Sequence, residues 1–232
     1  MSVIIDMTAS VEILNSLKQN GVRYYLSCKH PKLPEPVSTH PDMQIHFIDN
    51  KTAVVAPEVF DYYNELIGDD VEVIKGNTEL SGTYPLDCAY NVTRLGKFII
   101  GNLSYMDTKI KQMYQDRGFE FIHINQGYSK CTVCVVDDNS VITEDEGVCR
   151  AITPHNISVF KINSGTVELD GFDYGFIGGA SGFISEKVLA FCGNPSTESY
   201  FESMEEYIKS KSVDIIYLSS TKLKDYGSIL YF

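Results

Sequence analysis

The segment NQGYSKCTVCVVDD carries the two residues with the clearest chemical potential, Cys131 and Cys134. A cysteine thiolate can act as a nucleophile, as a metal ligand or as half of a redox pair. The two cysteines supply only half of a zinc site, and no second cysteine or histidine pair follows at a useful spacing. A redox CxxC begins a helix, whereas this one runs into a strand-like segment. We therefore expect no metal and no other cofactor, and a nucleophilic role stays open for Cys131.

A histidine and an aspartate that could assist a nucleophile stand together in His40-Pro41-Asp42. On an extended strand, residues i and i+2 share one face, so the two side chains are expected to point the same way. Aspartate is disfavoured early in a strand unless it has a partner, which favours a functional role for Asp42. His46 is expected on the same strand face and is therefore an alternative to His40.

Packing explains the same residues without any chemistry. Cys131 can be a small core residue, and His40 can cap the turn after the linker HPKLPEPVST. The segment LDCAYN offers a rival carboxylate and a rival cysteine, Asp87 and Cys88. The residues alone leave open which cysteine is functional and whether either of them is catalytic.

The composition restricts the class of partner. The 232-residue chain is 44% hydrophobic and 22% charged, as expected for one globular domain spanning residues 1–232. Its formal net charge of −12 argues against nucleic-acid binding, which needs lysine and arginine at the phosphates. An acidic protein is better placed to bind a small cationic molecule. The sequence is silent on the oligomeric state.

The sequence pattern also predicts neither a membrane span nor a secretory signal. No apolar run approaches the roughly 18 residues that span a bilayer, so no membrane partner is expected. The segment MSVIIDMTAS has neither a basic region nor a long apolar region, so it does not resemble a secretory signal. Most of the six cysteines lie in apolar stretches such as CTVCVV and AFCG. These features predict a cytoplasmic protein with free thiols.

The elements that would position these residues follow a repeating order. Four segments place apolar residues at helical spacing, and these are TASVEILNSLKQNG, PEVFDYYNELIG, SYMDTKIKQMYQDRG and STESYFESMEEYIKSK. Each precedes a short β-branched or aromatic strand, in the same order VRYYLS, VEVIKG, FEFIHIN and VDIIYL. A fifth strand, ISVFKIN, follows TEDEGVCRAITPHN, in which Pro154 predicts a short or irregular helix.

A β-hairpin pattern precedes each helix. The hairpins recur at intervals of 43 to 49 residues, counted through the joined chain ends, from the anchors Asp42, Asp87, Lys130, Gly178 and Asp225. Periods of this size are typical of repeat architectures. The fifth hairpin would pair DYGSILYF at the C-terminus with MSVIID at the N-terminus. The pattern therefore predicts an α/β protein in which five ββαβ units form a closed ring.

This plan resembles the pentein, or guanidine-modifying enzyme, superfamily of amidinotransferases and deiminases, and within it a bacterial branch of uncharacterised proteins. That fold is a five-fold pseudosymmetric propeller of ββαβ units. The enzymes arrange a cysteine nucleophile, a histidine in an H-x-D or H-x-E arrangement and further carboxylates around the axial channel. Here His40-Pro41-Asp42 matches H-x-D, and Cys131 follows a turn with Gly127, two units after His40.

The resemblance implies a hydrolase that acts on a small guanidino-type C–N substrate. It assigns catalytic roles to Cys131, His40 and Asp42. The residues that it implies for substrate binding are Asp87, Asp225, His46 and Asp173. The superfamily also contains a non-enzyme, so a non-catalytic protein that binds a protein, a ribosome surface or a small metabolite is the alternative.

Overall fold

Five three-stranded sheets form the β structure of the computed structural model, which describes residues 2–232. In each sheet the first two strands are antiparallel, and the third strand is parallel to the second. The strands are β1 Ser2–Ile5, β2 Arg23–Leu26, β3 Ile45–Asp49, β4 Thr52–Val55, β5 Glu72–Lys75, β6 Thr93–Leu95, β7 Phe98–Gly101, β8 Glu120–His123, β9 Cys134–Asp137, β10 Ser140–Thr143, β11 Ser158–Lys161, β12 Ser181–Ser185, β13 Val188–Phe191, β14 Asp214–Tyr217 and β15 Leu230–Tyr231.

Helices connect the second strand of each sheet to the third. The α-helices are α1 Val11–Gln19, α2 Pro41–Gln44, α3 Phe60–Ile67, α4 Thr108–Asp116, α5 Ser129–Thr132, α6 Glu146–Ile152 and α7 Phe201–Ser210. The connecting helices are α1, α3, α4, α6 and α7, whereas α2 and α5 are single turns that enter a first strand. Short 3₁₀ turns lie at Glu35–Val37, Pro57–Val59 and Thr153–His155. No helix of the described residues is both long and apolar enough to cross a bilayer.

The predicted order of five ββαβ units is confirmed, including the unit that the two chain ends share. Strand β15 pairs with β1, which pairs in turn with β2. Backbone hydrogen bonds in both directions join Ser2 to Phe232 at this seam. Both ends of the described chain are therefore held in one sheet, with β1 at its centre.

Local sequence accounts for the helices. Ser10 and Asp107 accept backbone N–H groups at the starts of α1 and α4, as N-cap residues do. Helix α1 buries Ile13 and Leu17, which lie four residues apart on one face. Helix α6 is short, as Pro154 predicted, and its 3₁₀ continuation ends at a left-handed residue.

Two segments that the sequence predicted as extended are helical turns. His40 is the N-cap of α2, and Pro41 is its first residue, a position that suits the fixed φ of proline. Cys131 lies within α5, where Asn91 from another unit accepts the backbone N–H groups of Lys130 and Cys131. The strand argument that put His40 and Asp42 on one face is therefore wrong.

Cys134 is a packing residue. It is the first residue of β9 and is buried in an apolar cluster with Val136 and Ile142. The two cysteines therefore differ in local structure, since Cys131 lies in a helical turn and Cys134 lies in a strand.

Candidate active site

Each of the five units contributes one residue to a polar layer on the axis of the ring. Each of these residues lies two or three positions before the first strand of its unit. The five residues are Asp42, Asn91, Cys131, Gly178 and Ser228. They enter from separate sheets, so only ring closure brings them together.

Hydrogen bonds join this axial layer from one unit to the next. The Asn91 amide nitrogen lies 3.3 Å from the Asp42 carbonyl oxygen and 3.1 Å from the Cys131 sulfur. The Ser228 hydroxyl oxygen lies 2.7 Å from Asp42 Oδ2 and 2.9 Å from the Gly178 carbonyl oxygen, so two acceptors compete for its proton. Unit four is tied to unit three by the N–H of Gly179, which donates to the Cys131 carbonyl at 2.8 Å.

The Cys131 thiol is buried in this layer and donates to Asp42 Oδ2 over 3.1 Å. Burial raises the pKa of the thiol well above its ordinary value, and the charges of Asp42 and Asp225 raise it further. The amide of Asn91 opposes this effect by donating to the sulfur. In the absence of a bound cation, Cys131 is therefore a thiol at neutral pH.

His40 is buried between two carboxylates. Its Nδ1 lies 3.7 Å from Asp225 Oδ1, and its Nε2 lies 4.0 Å from Asp6 Oδ2. Asp6 also accepts the hydroxyl of Thr39, the residue before His40, at 2.8 Å. The imidazole thus lies between two negative charges, at distances longer than a hydrogen bond, and no hydrogen bond joins it to Cys131 among residues 2–232.

Asp225 is held by backbone groups. Its carboxylate accepts the N–H of Phe176 at 3.0 Å and the N–H of Gly227 at 2.9 Å. Burial raises its pKa, and the nearby His40 acts in the opposite direction. A Cβ at Gly179 would lie 2.1 Å from Asp225 Oδ1, so glycine is required there for the carboxylate to keep its place.

One cavity of about 260 Å³ opens onto Cys131, His40 and Asp225. We call it the thiol cavity. The other side chains that line it are Val37, Met43, Tyr128, Leu169, Phe172, Asp173, Tyr174 and Phe176. Four of these are aromatic, and none of the described lining residues is lysine or arginine. The thiol cavity therefore combines carboxylates with aromatic faces, a combination that suits an organic cation.

The segment 166–177 forms the outer wall of the thiol cavity. Backbone bonds hold its two ends, since Gly175 donates to Val167 and Glu168 pairs with the chain near Lys224. Between those ends, Phe172 is 53% exposed and Tyr174 is 42% exposed. Large apolar side chains at this degree of exposure are available to cover a ligand.

The predicted site residues fall on different sides of the axial layer. Cys131, His40 and Asp225 face the thiol cavity, and the exposed Asp173 lies at its rim. Asp42 contacts the thiol but lines a second cavity on the other side.

His46 is placed on that second side as well. Its Nε2 lies 2.8 Å from the Tyr114 hydroxyl, and burial lowers its pKa to about 3. His46 therefore cannot take the place of His40 beside Cys131, because it lies on the other side of the axial layer.

Asp87 and Cys88 lie behind the wall of the thiol cavity. Asp87 Oδ2 accepts the hydroxyl of Tyr128 at 2.7 Å, and Tyr128 is the residue that lines the cavity. The Cys88 thiol donates to the Pro85 carbonyl at 3.0 Å, and burial raises its pKa to about 12. The cysteine of the axial layer is therefore Cys131.

Sequence reasoning missed Asp6, Asn91 and Ser228. Aligning the five repeats on the starts of their first strands would have matched Asn91 and Ser228 with Asp42. The hairpin anchors used instead, Asp87 and Asp225, lie four and three residues too early. Asp6 directly follows β1 and carried no local signal, because its contact with His40 depends on ring closure.

Solved structures of guanidino-modifying enzymes share this architecture. DDAH from Pseudomonas aeruginosa, in complex with citrulline, aligns with a TM-score of 0.54 at 9% identity, over 93% of this chain and 91% of that chain. SxtG, an amidinotransferase from Microseira wollei, aligns with a TM-score of 0.54 at 12% identity, over 89% and 72%. The C. jejuni agmatine deiminase aligns with a TM-score of 0.54 at 9% identity, over 94% and 87%.

The ring of five ββαβ units is thus a pentein fold, and the resemblance inferred from the sequence is confirmed at the level of the fold. The chain belongs to the Family of unknown function (DUF6873), whose model matches residues 4–230. A search of curated proteins found no match.

Proposed function

We propose that the protein hydrolyses a C–N bond of a small guanidinium-type cation, with Cys131 as the nucleophile and His40 as the acid and base. The observation that carries the proposal is the convergence of Cys131, His40 and Asp225 on one cavity. Support also comes from the pentein neighbours, which are named as a dimethylarginine dimethylaminohydrolase, an amidinotransferase and an agmatine deiminase.

The charges of the thiol cavity favour a substrate without a carboxylate. A guanidinium is a planar cation that pairs with carboxylates through its fork of N–H donors, and Asp225 and Asp173 supply such acceptors. Aromatic faces from Phe172 and Tyr174 add cation–π attraction for the same group. Because the described lining contains neither lysine nor arginine, an amino-acid carboxylate would lack a partner. An alkyl or aryl guanidine therefore fits better than arginine.

Substrate charge supplies a reason for the buried thiol to ionise. Asp42 and Asp225 oppose a thiolate at Cys131. A guanidinium bound beside them offsets that repulsion and lowers the pKa of the thiol. The existing hydrogen bond gives the thiol proton a route to Asp42 Oδ2. Activation then occurs only when the substrate is present.

The chemical steps balance without a cofactor. The Cys131 thiolate forms a C–S bond to the guanidinium carbon, and one C–N bond breaks as His40 gives a proton to the leaving nitrogen. A water molecule that His40 deprotonates then attacks the same carbon and breaks the C–S bond, and the released Cys131 thiolate regains its proton from Asp42. The products are a urea-type compound and either ammonia or an amine.

Turnover and thiol protection together test this function. Butylguanidine is incubated with the wild type, Cys131→Ser and the control Cys88→Ser, and released ammonia and butylamine are measured. We expect turnover by the wild type and by Cys88→Ser, and none by Cys131→Ser. Butylguanidine should also slow alkylation of Cys131 by iodoacetamide, because the bound molecule blocks access to the sulfur.

Two other results would decide against catalysis. Binding of butylguanidine without release of ammonia or amine would favour the alternative, a protein that only binds a small cation. Absence of both turnover and protection, for butylguanidine and arginine alike, would overturn the assignment of the thiol cavity as a guanidinium site.

A further inference from the structure

A second cavity, of about 230 Å³, lies on the other side of the axial layer. We call it the strand channel, because the first strands β3, β6, β9, β12 and β15 of all five units line it. Its apolar walls are Ile45, Phe47, Val92, Val135, Phe183, Ile229 and Leu230. Among residues 2–232, no residue lines both the strand channel and the thiol cavity. The two cavities are therefore separate sites.

The inner end of the strand channel holds a lysine whose donors are largely unused. The Lys130 ammonium donates to the Ser228 hydroxyl at 3.2 Å. Among the described residues, it has no carboxylate within the 4.0 Å of an ion pair. An ammonium has three donors, so Lys130 can bind a further acceptor from the channel.

Arg94 adds a second cation to the same channel. Its guanidinium donates to the Ile48 carbonyl at 2.9 Å and lies over the Phe119 ring. It likewise forms no ion pair with a carboxylate in the described part of the chain. Both cations lie close enough to His46 to help lower its pKa, so this histidine is neutral and adds no charge.

Asp42 is the one carboxylate in the described lining of the strand channel. Its Oδ2 accepts from Cys131 and Ser228, while its buried Oδ1 has no partner. Two cations and one carboxylate leave the lining with one net positive charge, in a protein whose formal net charge is −12. That balance favours a singly charged anion and disfavours a dianion or a polyphosphate, because Asp42 repels additional negative charge.

We infer that the strand channel is a second ligand site, which takes a small monocarboxylate with an apolar body. The carboxylate pairs with the Lys130 ammonium, and the alkyl or aromatic body packs against the side chains of the inner strands. Burial of that body supplies the hydrophobic part of the affinity. The site does not depend on the reaction at the thiol cavity.

Calorimetric titration with octanoate tests the inference, with octylammonium and 1-octanol as isosteric probes of opposite and zero charge. We expect octanoate to bind more tightly than both. Lys130→Met should weaken octanoate at least tenfold, which corresponds to about 1.4 kcal/mol, and Arg94→Met should weaken it by a smaller factor. Lys187→Met, at an exposed lysine outside the channel, is the matched control and should bind like the wild type.

Occlusion of the strand channel locates the site. Val135→Trp fills the channel and should abolish octanoate binding, while butylguanidine should protect the Cys131 thiol as before. Thermal unfolding of every variant verifies that it is folded, and the Lys130→Met titration decides the question if Val135→Trp does not fold. The inference is overturned if octanoate fails to bind at millimolar concentration, if octylammonium displaces octanoate from its site with equal affinity, or if Lys130→Met leaves the affinity unchanged.

Discussion

The Cys131 sulfur lies 3.1 Å from Oδ2 of Asp42, a carboxylate that is 89 residues away in the chain. Burial raises the pKa of the thiol, and this contact raises it further by placing the sulfur in the field of a negative charge. It also joins the two cavities, since Cys131 lines the thiol cavity and Asp42 lines the strand channel. A positive charge near these carboxylates would therefore lower the pKa of the thiol.

Removing the charge of Asp42 should lower the pKa of the Cys131 thiol, because that charge raises it in the wild type. The pH profile of alkylation by neutral iodoacetamide measures this pKa directly. For Asp42→Asn, the profile should move to lower pH. For Asp173→Asn, at the exposed rim, it should stay in place. An unchanged profile in Asp42→Asn would contradict the assignment of the hydrogen bond.

The two histidines should differ in their effect on turnover, because they lie on opposite sides of the axial layer. His40→Asn should lower kcat for butylguanidine by about 10²–10⁴-fold, the usual contribution of a positioned acid and base. His46→Gln keeps polar groups near Tyr114 and should change kcat only a few-fold. Steady-state kinetics on both variants shows which histidine acts as the acid and base. A larger loss of kcat in His46→Gln would show that this role was assigned to the wrong histidine.

The exposed aromatic residues of the outer wall should affect binding rather than chemistry. Phe172→Ala and Tyr174→Ala remove cation–π partners worth about 0.5–2 kcal/mol, so KM should rise roughly twofold to thirtyfold with kcat nearly constant. Both side chains are exposed, so the free energy of unfolding should change little. Tyr105→Ala, at another exposed tyrosine, is the control. An equal rise in KM for Tyr105→Ala would indicate a nonspecific effect.

Glu144 should make the protein less stable as the pH rises. Burial raises the pKa of this carboxyl from an ordinary 4.5 to about 8, and the charge of Asp225 contributes. The unfolded chain then loses its proton near pH 4.5, whereas the folded protein keeps its proton until about pH 8. The contribution of Glu144 to the free energy of unfolding is therefore fully present below pH 4.5 and decreases as the pH rises towards 8.

Substitution at Glu144 should remove that dependence. Glu144→Gln should be more stable than the wild type at pH 8, by on the order of a few kcal/mol at most, and close to it near pH 4.5. Urea unfolding at several pH values measures the difference, with the exposed Glu186→Gln as control. A stability gain in Glu144→Gln that does not vary with pH would rule out this explanation.

The sheets and the helices follow from local sequence. Amphipathic spacing in segments such as TASVEILNSLKQNG, caps such as Ser10, and the break at Pro154 act over a few residues. Their recurrence at 43 to 49 residues was enough to predict the five units and the closure by the chain ends. Local hydrogen bonds and periodic burial determine these features, so they can be read from one chain without knowing its contacts.

Which residues meet on the axis of the ring depends on tertiary structure instead. The contact between Ser228 and Asp42 spans 186 residues, and no local pattern marks either one as its partner. Asn91, which belongs to another unit, accepts N–H groups of α5 and holds it in a helical turn. This contact overrides the strand preference of CTVCVV. Which residue faces which cavity is decided by these long-range contacts, because the ring closes five short segments onto one axis.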